Sequence, residues 1–211
     1  MNFSELQREL NTLIKDTSPE VKISVPDLIN EAIETIAEKI VFPSLKTVIT
    51  LTTSTTLYYV NMPSNFSGRL LYCGNSDGKI TILDNGIDGL LELYPALDEV
   101  GDVSYVALEG NILYYQGIPS VANTLICLIY TKPTTLINDN DTPSFIPSMY
   151  HRDTIVYKAA EKAYDMIEDA LELKMKLNTA HYRNAAKVGM EDLGAWAVRR
   201  RNNISTSFWG N

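Results

Sequence analysis

The stretch LINDNDTPSFIPSMYHRD, Leu136–Asp153, separates two kinds of sequence pattern, and its reading decides the fold. Before it come short runs rich in Thr, Val, Ile and Tyr; after it apolar residues recur at helical spacing. Two Asn and two Asp open the stretch, and such side chains bond their own backbone in turns. Pro143 and Pro147 lack the amide that a strand or helix interior needs, so regular structure stops there until Ser148 offers a cap for the next helix. A calcium loop of the EF-hand kind would need alternating oxygen ligands, a glycine and a distant Glu, whereas DNDTPSF has a proline and no glycine. Asp139, Asp141, Pro143 and Pro147 therefore read as a rigid hinge and not as a metal site.

Upstream, from Lys46 to about Pro133, the breakers PSNFSG, NSDGK, DNGIDG and EGN separate the runs. KITIL, NILYY and TLICLIY are the strand candidates, with tight turns at Asn75–Gly78 and Glu109–Asn111, where Asp-Gly and Gly-Asn tolerate positive φ. The block predicts antiparallel strands in a small sandwich or barrel. Further upstream, FSELQRELNTLI places Phe3, Leu6, Leu10, Leu13 and Ile14 on one stripe, with Ser4 and Gln7 spaced as a capping box. After the breaker DTSPE, Ser24 and Asp27 resemble a helix start, and Leu28, Ile29, Ala32, Ile33, Ile36, Ala37 and Ile40 keep helical spacing until Pro43.

Downstream, Ile155, Val156, Ala159, Ala163, Tyr164, Ile167, Ala170 and Leu171 line one helical face. A last helix restarts with Asn178 or Thr179 as cap and Tyr182, Ala185, Ala186, Leu193 and Ala197 inward. The fold class expected is α+β. A helical bundle built from residues 1–45 and 146–201 would carry an inserted antiparallel β-rich domain, 46–145, and an extended C-terminal arm, 202–211.

A chain of 211 residues that is 45% hydrophobic has material for a core. Its net charge of -8 and pI of about 4.8 argue against a DNA reader, which needs a basic face to displace counterions from phosphates. No run is apolar for the length of a bilayer span and no secretory leader opens the sequence, which reads as a soluble, unprocessed chain with no membrane partner. Cys73 and Cys127 lie in apolar runs and suit buried free thiols better than a disulfide. His151 and His181 read as capping or surface residues, since neither has zinc-ligand spacing. Glu92, Asp98, Glu99 and Asp102 cluster around ELYPALDEVGD, and a paired-carboxylate hydrolase is the enzymatic alternative. A loop cluster of this kind is more commonly a solvated turn, so no catalytic residue, metal or cofactor is assigned.

The segment IYTKPTTLINDNDTPSFIP resembles the strand-to-helix junction of the head-to-tail adaptor (connector) proteins of tailed bacteriophages, through Ile129, Tyr130, Pro133, Leu136, Asp139, Asp141, Thr142, Pro143 and Pro147. YYVNMPSNF is similar to the family's tyrosine, apolar-Pro, Phe pattern, through Tyr59, Met62, Pro63 and Phe66. The chain departs from the pattern at Gly101–Asp102–Val103, where a Gly-x-Pro is expected, and in YYQGIP, which lacks a Pro-x-Pro. The resemblance implies a non-enzymatic virion protein of the neck, assembled in the host bacterial cytoplasm as a homo-oligomeric, dodecameric ring. Its partners would be the portal protein, neighbouring copies and a downstream tail or nozzle protein, with DNA passing through the channel unbound; a stopper ring is the near alternative. The end, RRRNNISTSFWGN, has two readings. It is a frayed terminus whose arginines favour the negative end of the last helix, or an arm in which Arg199, Arg200, Arg201, Phe208 and Trp209 dock on the portal or a subunit.

Overall fold

The computed structural model describes residues 1–14, 24–171 and 176–207, the stretch 201–207 by its backbone alone. The breaker DTSPE and the pair Phe208 and Trp209 lie outside the described residues. The protein is mixed α+β and divides into two units, Met1–Pro43 with Pro133–Asn211, and Ser44–Lys132.

The first unit is helical. α1 (Phe3–Leu13) buries Phe3, Leu6 and Leu10, and α2 (Val25–Lys39) buries Leu28, Ile29, Ala32, Ile33, Ile36 and Ala37, the stripes expected from 3.6-residue spacing. The capping box sits two residues earlier than the Ser4–Gln7 spacing suggests. Asn2 Oδ1 accepts from the Glu5 amide at 2.9 Å, and Glu5 Oε2 accepts from the Asn2 amide at 2.9 Å. Ser148 likewise makes no cap: it opens a short 3₁₀ turn, Ser148–Tyr150, whose preceding residue is Pro147. A π-helical turn, His151–Val156, then leads into α4 (Tyr157–Ala170). Ile155, Val156, Ala159, Ala163 and Ile167 are buried as expected, but Ala170 and Leu171 are exposed because the face rotates outward over the last turn. α5 (Leu177–Ser207) follows, and its backbone continues through Asn202–Ser207 where an extended arm was expected to begin. No proline or glycine interrupts it between Gly194 and Gly210, so the sequence carries no local stop there.

The second unit is two four-stranded sheets on a shared core. One has the order β1 (Lys46–Thr52), β8 (Thr124–Thr131), β3 (Phe66–Asn75), β4 (Gly78–Lys79); the other has β2 (Tyr59–Asn61), β7 (Ile112–Tyr115), β6 (Tyr105–Glu109), β5 (Thr81–Leu83). Alternation sets the faces: Leu125, Cys127 and Ile129 of β8 point inward against Val106, Leu113 and Tyr115. The expected turns form at Asn75–Gly78 and at Glu109–Ile112, where Gly110 has φ +57°. KITIL is not one strand. The chain crosses between sheets at buried Ile80, whose amide bonds Cys73 O at 3.0 Å while the Thr81 amide bonds Ser104 O at 3.0 Å. DNGIDG is not a turn either. It opens α3 (Gly86–Leu93), the crossover that makes β5 and β6 a parallel pair where the other paired strands are antiparallel. Leu90 of α3, with Leu97 and Ala107, forms a small second core outside the second sheet.

Tyr115 is fully buried, yet its hydroxyl accepts from the Ser54 amide at 2.9 Å and donates to Leu57 O at 2.8 Å. Burial raises its pKa, so it stays a donor. Cys73 and Cys127 are free, buried and directly opposite each other on β3 and β8, with their sulfurs 3.7 Å apart. Their mutual hydrogen bond and burial push the Cys73 thiol far up. A thiol reagent is expected to label neither cysteine in the folded chain and both in denaturant; rapid labelling of the native protein would show that this core opens.

Candidate docking surfaces and the Asp-rich junction

The backbone of the Asp-rich stretch caps α1. The amides of Phe3 and Ser4, which have no partner within their own helix, donate to Asp141 O at 2.8 Å and Asp139 O at 3.1 Å. A second clasp holds it to α2: Asn30 Oδ1 accepts from the Leu136 amide at 2.9 Å, and Asn30 Nδ2 donates to Leu136 O at 3.0 Å. Asp141 closes the turn itself, its Oδ2 accepting from the amides of Ile137 and Asn138 at 2.8 Å each. Those amide bonds, that of Asn138 first, hold its carboxyl below the usual range. Its contribution to stability is therefore full above the unfolded carboxyl range and is lost as pH falls through the lower folded value. Asp141→Asn is expected to flatten the acid limb of a melting-temperature profile, and chelator to leave the melting temperature of the parent chain unchanged. A calcium-dependent rise of many degrees would reverse the assignment.

Among the described residues no group of three or more His, Cys, Asp or Glu is placed to hold a metal. Glu92, Asp98, Glu99 and Asp102 are all exposed, along α3 and the loop after it. His151 is not a surface residue. It is buried, with Nε2 2.9 Å from Ile146 O and Nδ1 3.1 Å from Met1 O, and burial lowers its pKa. His181 is exposed beside the Tyr182 ring.

Two buried carboxylates join α4 to α5, and the sequence pattern gave no sign of either because both occupy an apolar stripe. Glu161 meets Lys158 Nζ at 2.6 Å and Arg183 Nε at 2.9 Å. Burial opposes its ionisation, but these two cations outweigh that and lower its pKa. Glu168 serves as the cap at the start of α5, in place of a side chain of Asn178 or Thr179. Its carboxylate accepts from the amides of Asn178 and Thr179 at 2.9 and 3.2 Å and from Thr179 Oγ1 at 2.6 Å. The charged glutamates of α4 thereby fix the direction in which α5 leaves.

The far part of α5 carries the residues expected to dock. Arg199 and Arg200 are exposed, and the Arg200 guanidinium lies 5.3 Å from the centroid of the Trp196 ring, which is also 6.4 Å from the Tyr150 ring. Only the backbone of Arg201 is described. Trp196 is an aromatic that the reading of the tail missed; the Trp-x-x-x-Arg spacing, one helical turn, is the signal that finds it. Val188 and Val198 are 60% and 49% exposed on the same helix.

The buried charges of the helical unit are spent on joining its helices, the work a structural protein asks of them. The match to known families agrees: the model of the SU10 adaptor protein family covers residues 1–207, and the chain belongs to that family of phage head-to-tail adaptors. No curated protein matches the sequence. Membership makes the chain a structural adaptor of the phage neck and implies contact with portal and tail components.

Proposed function

We propose that this chain is the adaptor ring beneath the portal, joining the filled capsid to the tail and leaving an axial channel for DNA. The observation that carries the reading is the family match over residues 1–207, which spans both folded units. Copies of the chain form a homo-oligomer, dodecameric in this reading, with the portal above and a tail or nozzle protein below. A net charge of -8 suits a channel that must not retain DNA, because carboxylates repel phosphates. In this reading the Asp-rich junction with Pro143 and Pro147 is the rigid joint by which the chain re-enters the helical unit, and the end of α5 with Phe208 and Trp209 is the portal-docking arm. Imaging of purified virion necks with this chain labelled tests the position. Density in a ring directly under the portal is expected; density one ring lower makes it a stopper.

The docking arm has its own test. A chain ending at Arg201 and a Trp209→Ala chain are both expected to fold by circular dichroism and to bind the portal more weakly than the parent. Equal binding by all three places the docking surface elsewhere on the helices. The hydrolase alternative rests on Glu99 and Asp102. Zymography on peptidoglycan is expected to show no clearing; clearing lost in Glu99→Gln or Asp102→Asn would replace the connector reading with an enzymatic one.

A further inference from the structure

The helical unit holds an open groove of about 530 Å³ between the end of α2 and the α4–α5 pair, and a hollow of about 240 Å³ that shares Lys39 and Ile40 with it farther along α5. The floor is apolar, formed by Ile40, Ala186, Met190, Gly194 and Ala197. The rim is basic. Lys39, Lys158, Arg183 and Lys187 face Glu161 and Glu191, four cations against two carboxylates, which leaves a net +2 on a chain whose total is -8. Glu161 draws on both Lys158 and Arg183, so that cluster keeps one positive charge in excess, and exposed Lys39 adds another.

The inserted unit carries a segment of opposite character. Between Asp84 and Asp102 stand Asp84, Asp88, Glu92, Asp98, Glu99 and Asp102, with no Lys or Arg among them. Leu91, Leu93 and Val100 of the same segment are 39%, 56% and 78% exposed. Exposed apolar side chains bordered by uncompensated carboxylates complement an apolar floor under a basic rim in both hydrophobicity and charge.

We propose that the groove receives the α3 segment, Asp84–Asp102, of a neighbouring copy of this chain. The two surfaces differ, so the contact is head-to-tail: each copy offers one groove and one segment, and successive copies close a ring if the rotation allows. The inference rests on the ring reading above and supplies the surfaces that build it. The Coulomb part makes association weaken with salt, because rim charges are screened.

Cross-linking of the full-length chain tests it. The native cysteines are buried, so a chain carrying Ala96→Cys on the segment and Lys187→Cys on the rim presents two reactive thiols. A short bis-maleimide at high protein concentration is expected to give a ladder of dimers, trimers and larger products. Either substitution alone should not give it. Adding Lys39→Glu and Arg183→Glu is expected to cut the ladder about tenfold, and adding Glu92→Lys and Asp98→Lys as well to restore it. Circular dichroism establishes that each variant folds. A product that is only intramolecular, or a ladder indifferent to charge reversal, overturns the contact. If the ladder is missing while imaged necks still show a ring of this chain, the contact is wrong and the ring stands. If the ladder forms and no ring lies at the portal, the contact stands and the location falls.

Discussion

Gly189→Ala is expected to destabilise the helical unit, while Gly194→Ala, five residues further along α5, is expected to stabilise it. Both are helical glycines, and alanine gains about 1 kcal/mol over glycine in a helix interior. At Gly194 nothing stands within 4 Å of an added Cβ, so that gain is kept. At Gly189 the Cβ would run into the Asp153 carbonyl, 2.7 Å from its carbon and closer still to its oxygen. These are backbone atoms of the π-helical turn and cannot rotate away, so α5 must move off the turn. Overpacking of this kind costs about 1–3 kcal/mol, which exceeds the propensity gain, and Gly189→Leu should sit at or above the top of that range. Trp196 and Trp209 both follow Gly189 in the chain, so tryptophan fluorescence during urea unfolding reports this region without signal from the inserted unit. If Gly189→Ala proves as stable as the parent, α5 is free to shift and the close approach is not a constraint.

The contrast between these two glycines shows where the sequence was legible. The helical stripes of α1, α2 and α4 follow from spacing alone, since one face of each must leave water and the period declares which. The hairpin turns at Asp77–Gly78 and Gly110 follow from residues that tolerate positive φ. What stayed hidden depends on partners distant in the chain. α3 reads as a turn because Asn85, Gly86 and Gly89 are poor helix residues, and it forms because Leu90 finds a pocket with Leu97 and Ala107. KITIL reads as one strand because nothing local reveals that its halves bond to different sheets. Of the docking set, Arg200 is tied to Trp196 by a single helical turn, a local relation that the run of three arginines drew attention away from.

The junction LINDNDTPSFIP was legible in kind but not in its work. Asn and Asp do form the turn, through Asp141 Oδ2. The larger role belongs to the carbonyls of Asp139 and Asp141, which complete the first turn of a helix more than a hundred residues earlier. Backbone acceptors have no sequence signature, so only the fold could reveal that the junction and α1 are one structural element. Its backbone bonds to α1 and its clasp with Asn30 of α2 tie the stretch that follows the inserted unit into the helical unit.

Glu168→Ala is expected to cost about 1–3 kcal/mol, the scale for leaving a buried donor without its partner. The carboxylate is 2% exposed and serves three donors, the amides of Asn178 and Thr179 and the Thr179 hydroxyl. Alanine would leave the buried Thr179 amide and hydroxyl without this acceptor and the Asn178 amide to water, and would remove a negative charge from the positive end of α5. Glu168→Gln separates the two effects: it keeps the size and one acceptor oxygen but turns an amide NH₂ toward donors, so it should fall between parent and alanine. The sign of the pH dependence follows. Burial raises the Glu168 pKa, but its hydrogen bonds to Thr179 and Asn178, that of the Thr179 hydroxyl first, prevail and set it below the ordinary glutamate value. The native state therefore holds fewer protons than the unfolded chain in that range. The stabilisation is complete above the unfolded glutamate pKa, about 4.3, and disappears as pH falls through the lower native value. A parent-minus-Ala stability difference that is constant above about pH 5 and shrinks in stronger acid is the expected profile. Because α5 ends in the residues proposed to meet the portal, loosening its first turn should also weaken portal binding in the Ala variant before the unit unfolds. A Glu168→Ala chain with parental stability and parental portal affinity would show that α5 is oriented by its packing on α4 and the π-helical turn alone.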